Sequence, residues 1–120
     1  MEYPKIKGVE AIPIEIEGEK AFAISEGQTR THKSVVVRII TDEPNIDGVA
    51  EIVCAPPGKP EEIQHEICGV LKTLAENALV GISAENTQSA QRVINERIKG
   101  KVWTKGGLNV ALTDLRAKAL

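Results

Sequence analysis

The order of apolar and polar residues predicts strands in the first half of the chain and helices in the second. Over 6–17, isoleucines alternate with proline and glutamate, which is typical of a strand that buries one face; these isoleucines are Ile12, Ile14 and Ile16. Glu10 falls on that same face, which predicts a β-bulge near it. Pro13 has no N–H group to donate to a neighbouring strand, so this strand is predicted to lie at an edge of its sheet or to be unpaired on that side at Pro13.

Two further segments have the character of strands. Residues 34–41 are β-branched almost throughout, and because apolar side chains occupy both parities, this strand is predicted to be central and covered on both faces. A turn over 42–48 leads to a third short strand over 49–53. Sequential strands with hairpin connections predict an antiparallel meander.

Two helices are predicted after the strands. The first opens at Pro60, with glutamates in its first turn, and its apolar stripe consists of Ile63, Ile67, Val70, Leu71 and Leu74. The second runs from an N-cap at Ser83 to a stop at Gly100, and its buried face consists of Ala90, Val93, Ile94 and Ile98. Strands followed by helices predict an α+β domain.

A last helix is predicted over 108–120, after a glycine pair at 106–107 that should break the chain. Its apolar face is complete within this stretch and consists of Leu108, Ala111, Leu112, Leu115 and Ala119. No Gly, Asn or Pro ends this helix, and the chain finishes on Leu120 while the pattern is still running. The chain is therefore predicted to be cut from a longer protein, or its last helix to dock on something outside the sequence. The predicted architecture is a three-stranded meander followed by a bundle of about three helices.

Composition narrows the class of protein. The net charge of −2 and the scattered basic residues argue against a nucleic-acid surface. Tyr3, Phe22 and Trp103 are the only aromatic residues, so the core is predicted to be aliphatic. No apolar run approaches the roughly 20 residues that span a bilayer, and the N-terminus has no signal-peptide pattern. Cys54 and Cys68 are too few for a disulfide framework, so the protein is predicted to be cytoplasmic.

The sequence contains no recognisable catalytic group. His65 and Cys68 lie three residues apart on one predicted helix, but the spacings typical of metal sites are missing. Glu51 is predicted to pair with Arg or Lys across the sheet rather than to act in catalysis. By its own residues the chain is predicted to have no catalytic and no metal-binding residue.

Two connections stand out as candidates for binding. The connection over 18–33 has sixteen residues, although about two to five are enough for a hairpin. The connection over 54–59 is stiffened by two prolines. Long loops in compact domains are often functional. Phe22 and Ile24 in the first connection either pin it to the sheet or face a ligand, and the sequence leaves both readings open.

Several segments, taken in order, resemble one known family. They are 9–14, Phe22, 34–39 with Thr41-Asp42, Gly48-x-x-Glu51, and the closing Asp-Leu-x-x-Lys-Ala-Leu of 114–120. This set resembles the N-terminal domain of the mandelate racemase/muconate lactonizing enzyme group of the enolase superfamily. The chain differs from the usual pattern in having Val49, Ala50 and Thr113 where an aromatic residue, a glycine and a tryptophan are common.

The resemblance implies a capping domain that packs over a modified TIM barrel. The barrel would be formed by the rest of a longer chain and is absent from residues 1–120. In that family the loops corresponding to 18–33 and 54–59 close over the barrel mouth and help to choose the substrate. In that family the barrel carries the carboxylates that bind Mg²⁺ and the Lys or His bases that abstract a proton α to a carboxylate. The implied parent is a racemase, epimerase, cycloisomerase or dehydratase, and residues 1–120 would be non-catalytic. The expected partners are the barrel, a small carboxylate substrate and further copies of the chain.

The predicted substrate-capping residues lie in these two connections: Phe22, Ile24, Arg30, His32, Pro56 and Pro57. A guanidinium at Arg30 could hold a carboxylate with two hydrogen bonds, although a solvated loop charge explains it as well. The competing hypothesis is a free-standing interaction or dimerisation module that uses the apolar face of the last helix.

Overall fold

Three antiparallel strands form the sheet on which the described helices pack. A computed structural model describes residues 2–17, 31–54 and 63–120. The strands are β1 (Ile6–Glu17), β2 (Thr31–Thr41) and β3 (Asp47–Val53), and they pair in the order β1-β2-β3. The predicted meander is confirmed, with β2 in the centre and the proline-containing β1 at an edge.

The helices follow the strands along the chain, so the predicted α+β fold is confirmed. The first helical rod is continuous and changes its type twice. Its parts are α1 (Gln64–Val70), a π-helical segment (Leu71–Ala75) and α2 (Glu76–Leu79). Two separate helices come next, α3 (Thr87–Arg97) and α4 (Val102–Ala119).

The two faces of the sheet differ in burial, and the predicted inner face of β1 is wrong. Ile12 and Ile16 are 42% and 54% exposed, whereas Val9 is buried. The reason is the position of the irregularity in β1, which lies between Ile6 and Gly8 and not at Glu10. Pairing is regular from there on, so Val9 is buried and Ala11 half-buried on the inner face, whereas Pro13 and Glu15 of the same parity are exposed.

Strand β2 shows the same difference between its faces. Val35, Val37 and Ile39 are fully buried, whereas Arg38 on the other face is exposed. The prediction that both faces are covered is therefore wrong for the outer face. Strand β2 also begins at Thr31, so the first connection is shorter than predicted.

The π-helical segment changes the apolar stripe of the first rod. Leu74 is 42% exposed, and Ala75 occupies the core in its place. A π turn holds more residues than an α turn, so the segment rotates the positions that follow it. Ile63, just before the helix, is also exposed. The rest of the predicted stripe is buried: Ile67, Val70 and Leu71.

Helix α3 begins later than predicted. The side-chain oxygen of Asn86 accepts a hydrogen bond from the backbone N–H of Ser89 at 3.2 Å, so Asn86 is the N-cap. Ser83 forms an isolated β-bridge with Lys5 instead, which explains why the predicted cap is wrong. The predicted buried face is confirmed for Ala90, Ile94 and Ile98, and Val93 is partly buried against the core.

Helix α4 begins before the glycine pair rather than after it. Gly106 and Gly107 both lie inside the helix, which starts at Val102. Helix propensity alone disfavours two glycines there. Tertiary packing explains the second one, because a Cβ atom at Gly107 would overlap the Ile52 side chain of β3.

The apolar face of α4 packs on the sheet of its own domain. Leu108, Ala111, Leu112 and Leu115 are at most 1% exposed. Gly48 of β3 faces this helix, and a Cβ atom there would overlap the Ala111 carbonyl oxygen. The prediction that this face docks outside the sequence is therefore wrong, and the proposed dimerisation surface is not available.

Helix α4 also covers the open edge of β3. The Asp114 carboxylate accepts a hydrogen bond from the Val49 N–H at 3.0 Å. The Lys118 ammonium donates to the Asp47 carbonyl at 3.0 Å and pairs with Asp114 at 2.8 Å. An acid and a base one helical turn apart thus occupy a donor and an acceptor of the strand edge.

The opposite edge, on β1, is covered in the same way by the first rod. The Glu76 carboxylate accepts a hydrogen bond from the Val9 N–H at 2.9 Å, and Lys72 donates to the Val9 carbonyl at 2.8 Å. Lys72 and Glu76 are themselves 3.0 Å apart. Occupied edges cannot recruit a further strand at these positions.

The adjacent glycines of α4 should respond in opposite directions to the same substitution. We expect Gly106→Ala to raise the free energy of unfolding by about 0.5–1 kcal/mol, because the site is open and alanine favours the helix. We expect Gly107→Ala to lower it by about 1 kcal/mol or more, since the added methyl displaces Ile52. Urea titration followed by circular dichroism measures both values. Shifts of the same sign would contradict the close packing of α4 on β3.

The charge of Asp114 should make stability depend on pH. The hydrogen bond from Lys118, and next the one from the Val49 N–H, lower the pKa of Asp114 below its ordinary value of 3.8. A lowered pKa in the folded state stabilises the protein above the unfolded-state pKa, and this contribution is lost as the pH falls through the folded-state value.

We therefore expect Asp114→Asn to destabilise the protein most at neutral pH, because the amide can still accept from Val49 but no longer attracts Lys118. The difference from wild type should shrink once the pH falls below 3.8. Thermal melts at about pH 7, 5 and 3 measure this difference. A difference that stays constant with pH would contradict a role for the charge.

Candidate functional site

The two connections singled out from the sequence attach at the same end of the sheet. The first leaves β1 after Glu17 and joins β2 at Thr31, and these two residues pair with each other. The second leaves β3 after Val53, which pairs with Ser34 only three residues into β2. We call this the loop end of the sheet, defined by Glu17, Thr31, Ser34 and Val53.

Helix α1 also starts at the loop end, and one side chain fixes it there. The Gln64 side-chain amide donates to the Ile14 carbonyl at 3.0 Å and to the Ser34 carbonyl at 3.1 Å. Ile14 and Ser34 are opposite each other in the register of β1 and β2. Gln64 therefore joins the start of α1 to a pair of facing residues in β1 and β2.

Of the predicted substrate-capping residues, the structure describes His32. It lies in β2 and not in a loop as predicted, at the second position of the strand. Its Nε2 is 3.8 Å from a carboxylate oxygen of Glu51 in β3, with side chains 41% and 52% exposed. Glu51 does pair across the sheet, but with His32 rather than with Arg or Lys. An exposed pair of this kind contributes little to stability. Because both side chains are exposed, they are accessible to a ligand at the loop end.

The other predicted capping residues lie outside the described residues, so their role remains a prediction. They are Phe22, Ile24, Arg30, Pro56 and Pro57. The described residues that precede and follow the two connections lie at the loop end.

Further polar groups of both signs lie at the loop end. Lys33 and Glu15 pair across β1 and β2, with 3.9 Å between the ammonium and the carboxylate. The loop end is therefore neither strongly acidic nor strongly basic within the described part of the chain. Selectivity for a charged ligand would depend on individual side chains rather than on a field of one sign.

Two half-buried thiols flank the second connection. Burial raises the pKa of Cys54; the neighbouring Cys68 charge raises it further, and Lys33 lowers it. Burial also raises the pKa of Cys68. Both thiols are therefore protonated at neutral pH, which makes them poor nucleophiles.

On the outer face further along the sheet, charged groups of neighbouring strands form hydrogen bonds with one another. Arg38 donates through Nε to Asp47 at 2.9 Å and through Nη1 to Glu10 at 3.2 Å. These bonds, first of all the one to Asp47, raise the pKa of Arg38. They join residues of all three strands.

A shallow depression of about 400 Å³ lies on α4, lined by Asn109, Val110, Thr113 and Asp114. Asp114 already accepts hydrogen bonds from Val49 and Lys118. Its part in covering the strand edge accounts for its position, so the loop end is the better candidate site.

Two features are absent from residues 2–17, 31–54 and 63–120, a cluster of metal ligands and a membrane-spanning helix. Within these ranges no three His, Cys, Asp or Glu side chains come together in a group that could hold a metal ion. In the same ranges, no helix combines the length and the apolar character needed to cross a bilayer.

No pattern in the sequence pointed to the part played by Gln64. It stands in a glutamate-rich helix start, and only the tertiary fold brings its amide to two strand carbonyls. For Asp114 and Lys118 a signal existed, since both belong to the closing motif. Their spacing of four residues places them on one side of α4.

The family model of the mandelate racemase / muconate lactonizing enzyme N-terminal domain matches residues 10–120. The chain therefore belongs to this family, of which it is an N-terminal domain. No curated protein matches the chain by sequence.

Solved structures of muconate lactonizing enzymes share the fold. The Pseudomonas putida enzyme matches with 21% identity and a TM-score of 0.78, over 95% of this chain and 29% of that one. The Pseudomonas fluorescens enzyme complexed with muconolactone has 20% identity and a TM-score of 0.77, over 97% and 31%. The Mycobacterium smegmatis enzyme complexed with muconolactone has 28% identity and a TM-score of 0.70, over 90% and 29%. The chain thus spans less than a third of each of these relatives.

Proposed function

We propose that the chain is the substrate-specificity capping domain of an enzyme that abstracts a proton α to a carboxylate. The observation that carries this proposal is the family match, which extends from residue 10 to the last residue of the chain. The relatives are more than three times as long, so the reacting groups are expected in residues beyond these 120. The parent enzyme would be a racemase, epimerase, cycloisomerase or dehydratase.

The contribution of this chain is to enclose and select the substrate. Both connections attach at the loop end, where His32 and Glu51 are accessible. Arg30, in the first connection, is the proposed group for binding a substrate carboxylate. Loops held by a rigid sheet are a common way to place such residues.

The proposal includes a magnesium ion outside this chain. The described residues offer no group of three suitable ligands, so we assign none of them to the metal. In enzymes of this superfamily Mg²⁺ stabilises the enediolate that forms when the proton leaves. A cytoplasmic location, a small carboxylate substrate and assembly into homo-oligomers belong to the same proposal. The apolar face of α4 supports no second function, because it is buried in the core.

Proton exchange in D₂O tests the reaction class. The complete polypeptide that carries these residues is incubated with Mg²⁺ and, in separate samples, muconolactone, mandelate and a panel of other small carboxylates. We expect the α-proton of at least one compound to exchange for deuterium, seen as loss of its ¹H NMR signal. Muconolactone is the first probe because two structural relatives are complexed with it.

Two controls define the outcome. Residues 1–120 alone should give no exchange, and chelation of Mg²⁺ with EDTA should stop the exchange by the complete polypeptide. Exchange by residues 1–120 alone would contradict a non-catalytic cap. The absence of exchange for every carboxylate in the panel would contradict the reaction class.

A further inference from the structure

One side chain connects three segment ends at the loop end. Gln64 is the first residue of α1, and its amide donates to Ile14 near the end of β1 and to Ser34 near the start of β2. The amide nitrogen carries two hydrogens, so it can donate to both carbonyls at once. Ser34 also pairs with Val53 at the end of β3.

The two hydrogen bonds are partly buried. Ser34 is fully buried, and Gln64 is only partly exposed. A hydrogen bond in such a place has more influence than one on an open surface, because water cannot easily replace a lost partner. The amide is therefore suited to fix the distance between α1 and the two strands.

The sequence positions of these residues suggest what this distance controls. Gln64 follows the connection 55–62 by two positions, while Ile14 and Ser34 each lie four positions from the connection 18–30. We propose that Gln64 is a positioning residue that fixes the start of α1 relative to the end of β1 and the start of β2, and thereby affects the choice of substrate. This inference rests on the proposed function for its last step only.

Three variants separate this role from a general structural one. Gln64→Met removes the donor at nearly constant length and keeps good helix propensity. Gln64→Lys supplies donors again through its ammonium group. Lys72→Met is the matched control, because Lys72 also donates from the same rod to a strand carbonyl, that of Val9, away from the loop end.

Hydrogen–deuterium exchange of the complete polypeptide is the first measurement. In Gln64→Met we expect amide exchange in 14–17, 31–34 and 64–67 to accelerate by about tenfold, because both hydrogen bonds of Gln64 are lost there. Lys72→Met should not accelerate exchange in these segments, and Gln64→Lys should restore most of the protection. Unchanged exchange in Gln64→Met, or equal acceleration in Lys72→Met, would overturn the inference.

Steady-state kinetics with a carboxylate that the wild type turns over is the second measurement. We expect Gln64→Met to raise KM by about five- to tenfold with kcat within about twofold, since positioning affects binding more than chemistry. Lys72→Met should leave KM unchanged. Altered exchange with unchanged KM and kcat would overturn the effect on substrate choice. An inactive wild type would contradict the proposed function instead, and the exchange data would still decide whether Gln64 fixes the loop end.

Discussion

Helix α4 lies so close to β3 that only glycine fits at two of their contacts. Gly48 faces the backbone of α4 at Ala111, and Gly107 faces the Ile52 side chain. This approach lets Leu108 and Leu115 bury completely, and it brings the helix near the open edge of the sheet. The core of the domain depends on this contact. Among the described helices α4 is the longest, and its apolar face is buried because it packs this closely on the sheet.

The same contact explains the chemistry of the closing motif. With α4 at this distance, Asp114 and Lys118 reach the backbone of β3 and pair with each other. Lys72 and Glu76 do the same on β1. A sheet covered on its inner face and held at positions on both edges is a rigid support, and its loop end carries the two connections.

Local patterns predicted the fold class, the strand order and most of the core, since alternation and helical periodicity reflect burial directly. They failed where tertiary contacts override local preference. The glycines at 106–107 look like a helix break, but Gly107 is needed for contact with Ile52. Leu74 looks like a core residue until the π turn moves Ala75 into its place.

The candidate site was less predictable than the fold. Its two connections were recognised from length and prolines, and His32 was named, although as a loop residue rather than as part of β2. The contact of Gln64 with two strands could not be predicted, because it joins residues 30 and 50 positions apart.

Sequencing the gene beyond the codon for Leu120 is the measurement that decides whether this chain caps a catalytic domain. We expect an open reading frame that continues for about 250 residues, with alternating strand and helix patterns and acidic residues at strand ends. A stop codon directly after Leu120, or a continuation without that alternation, would contradict it.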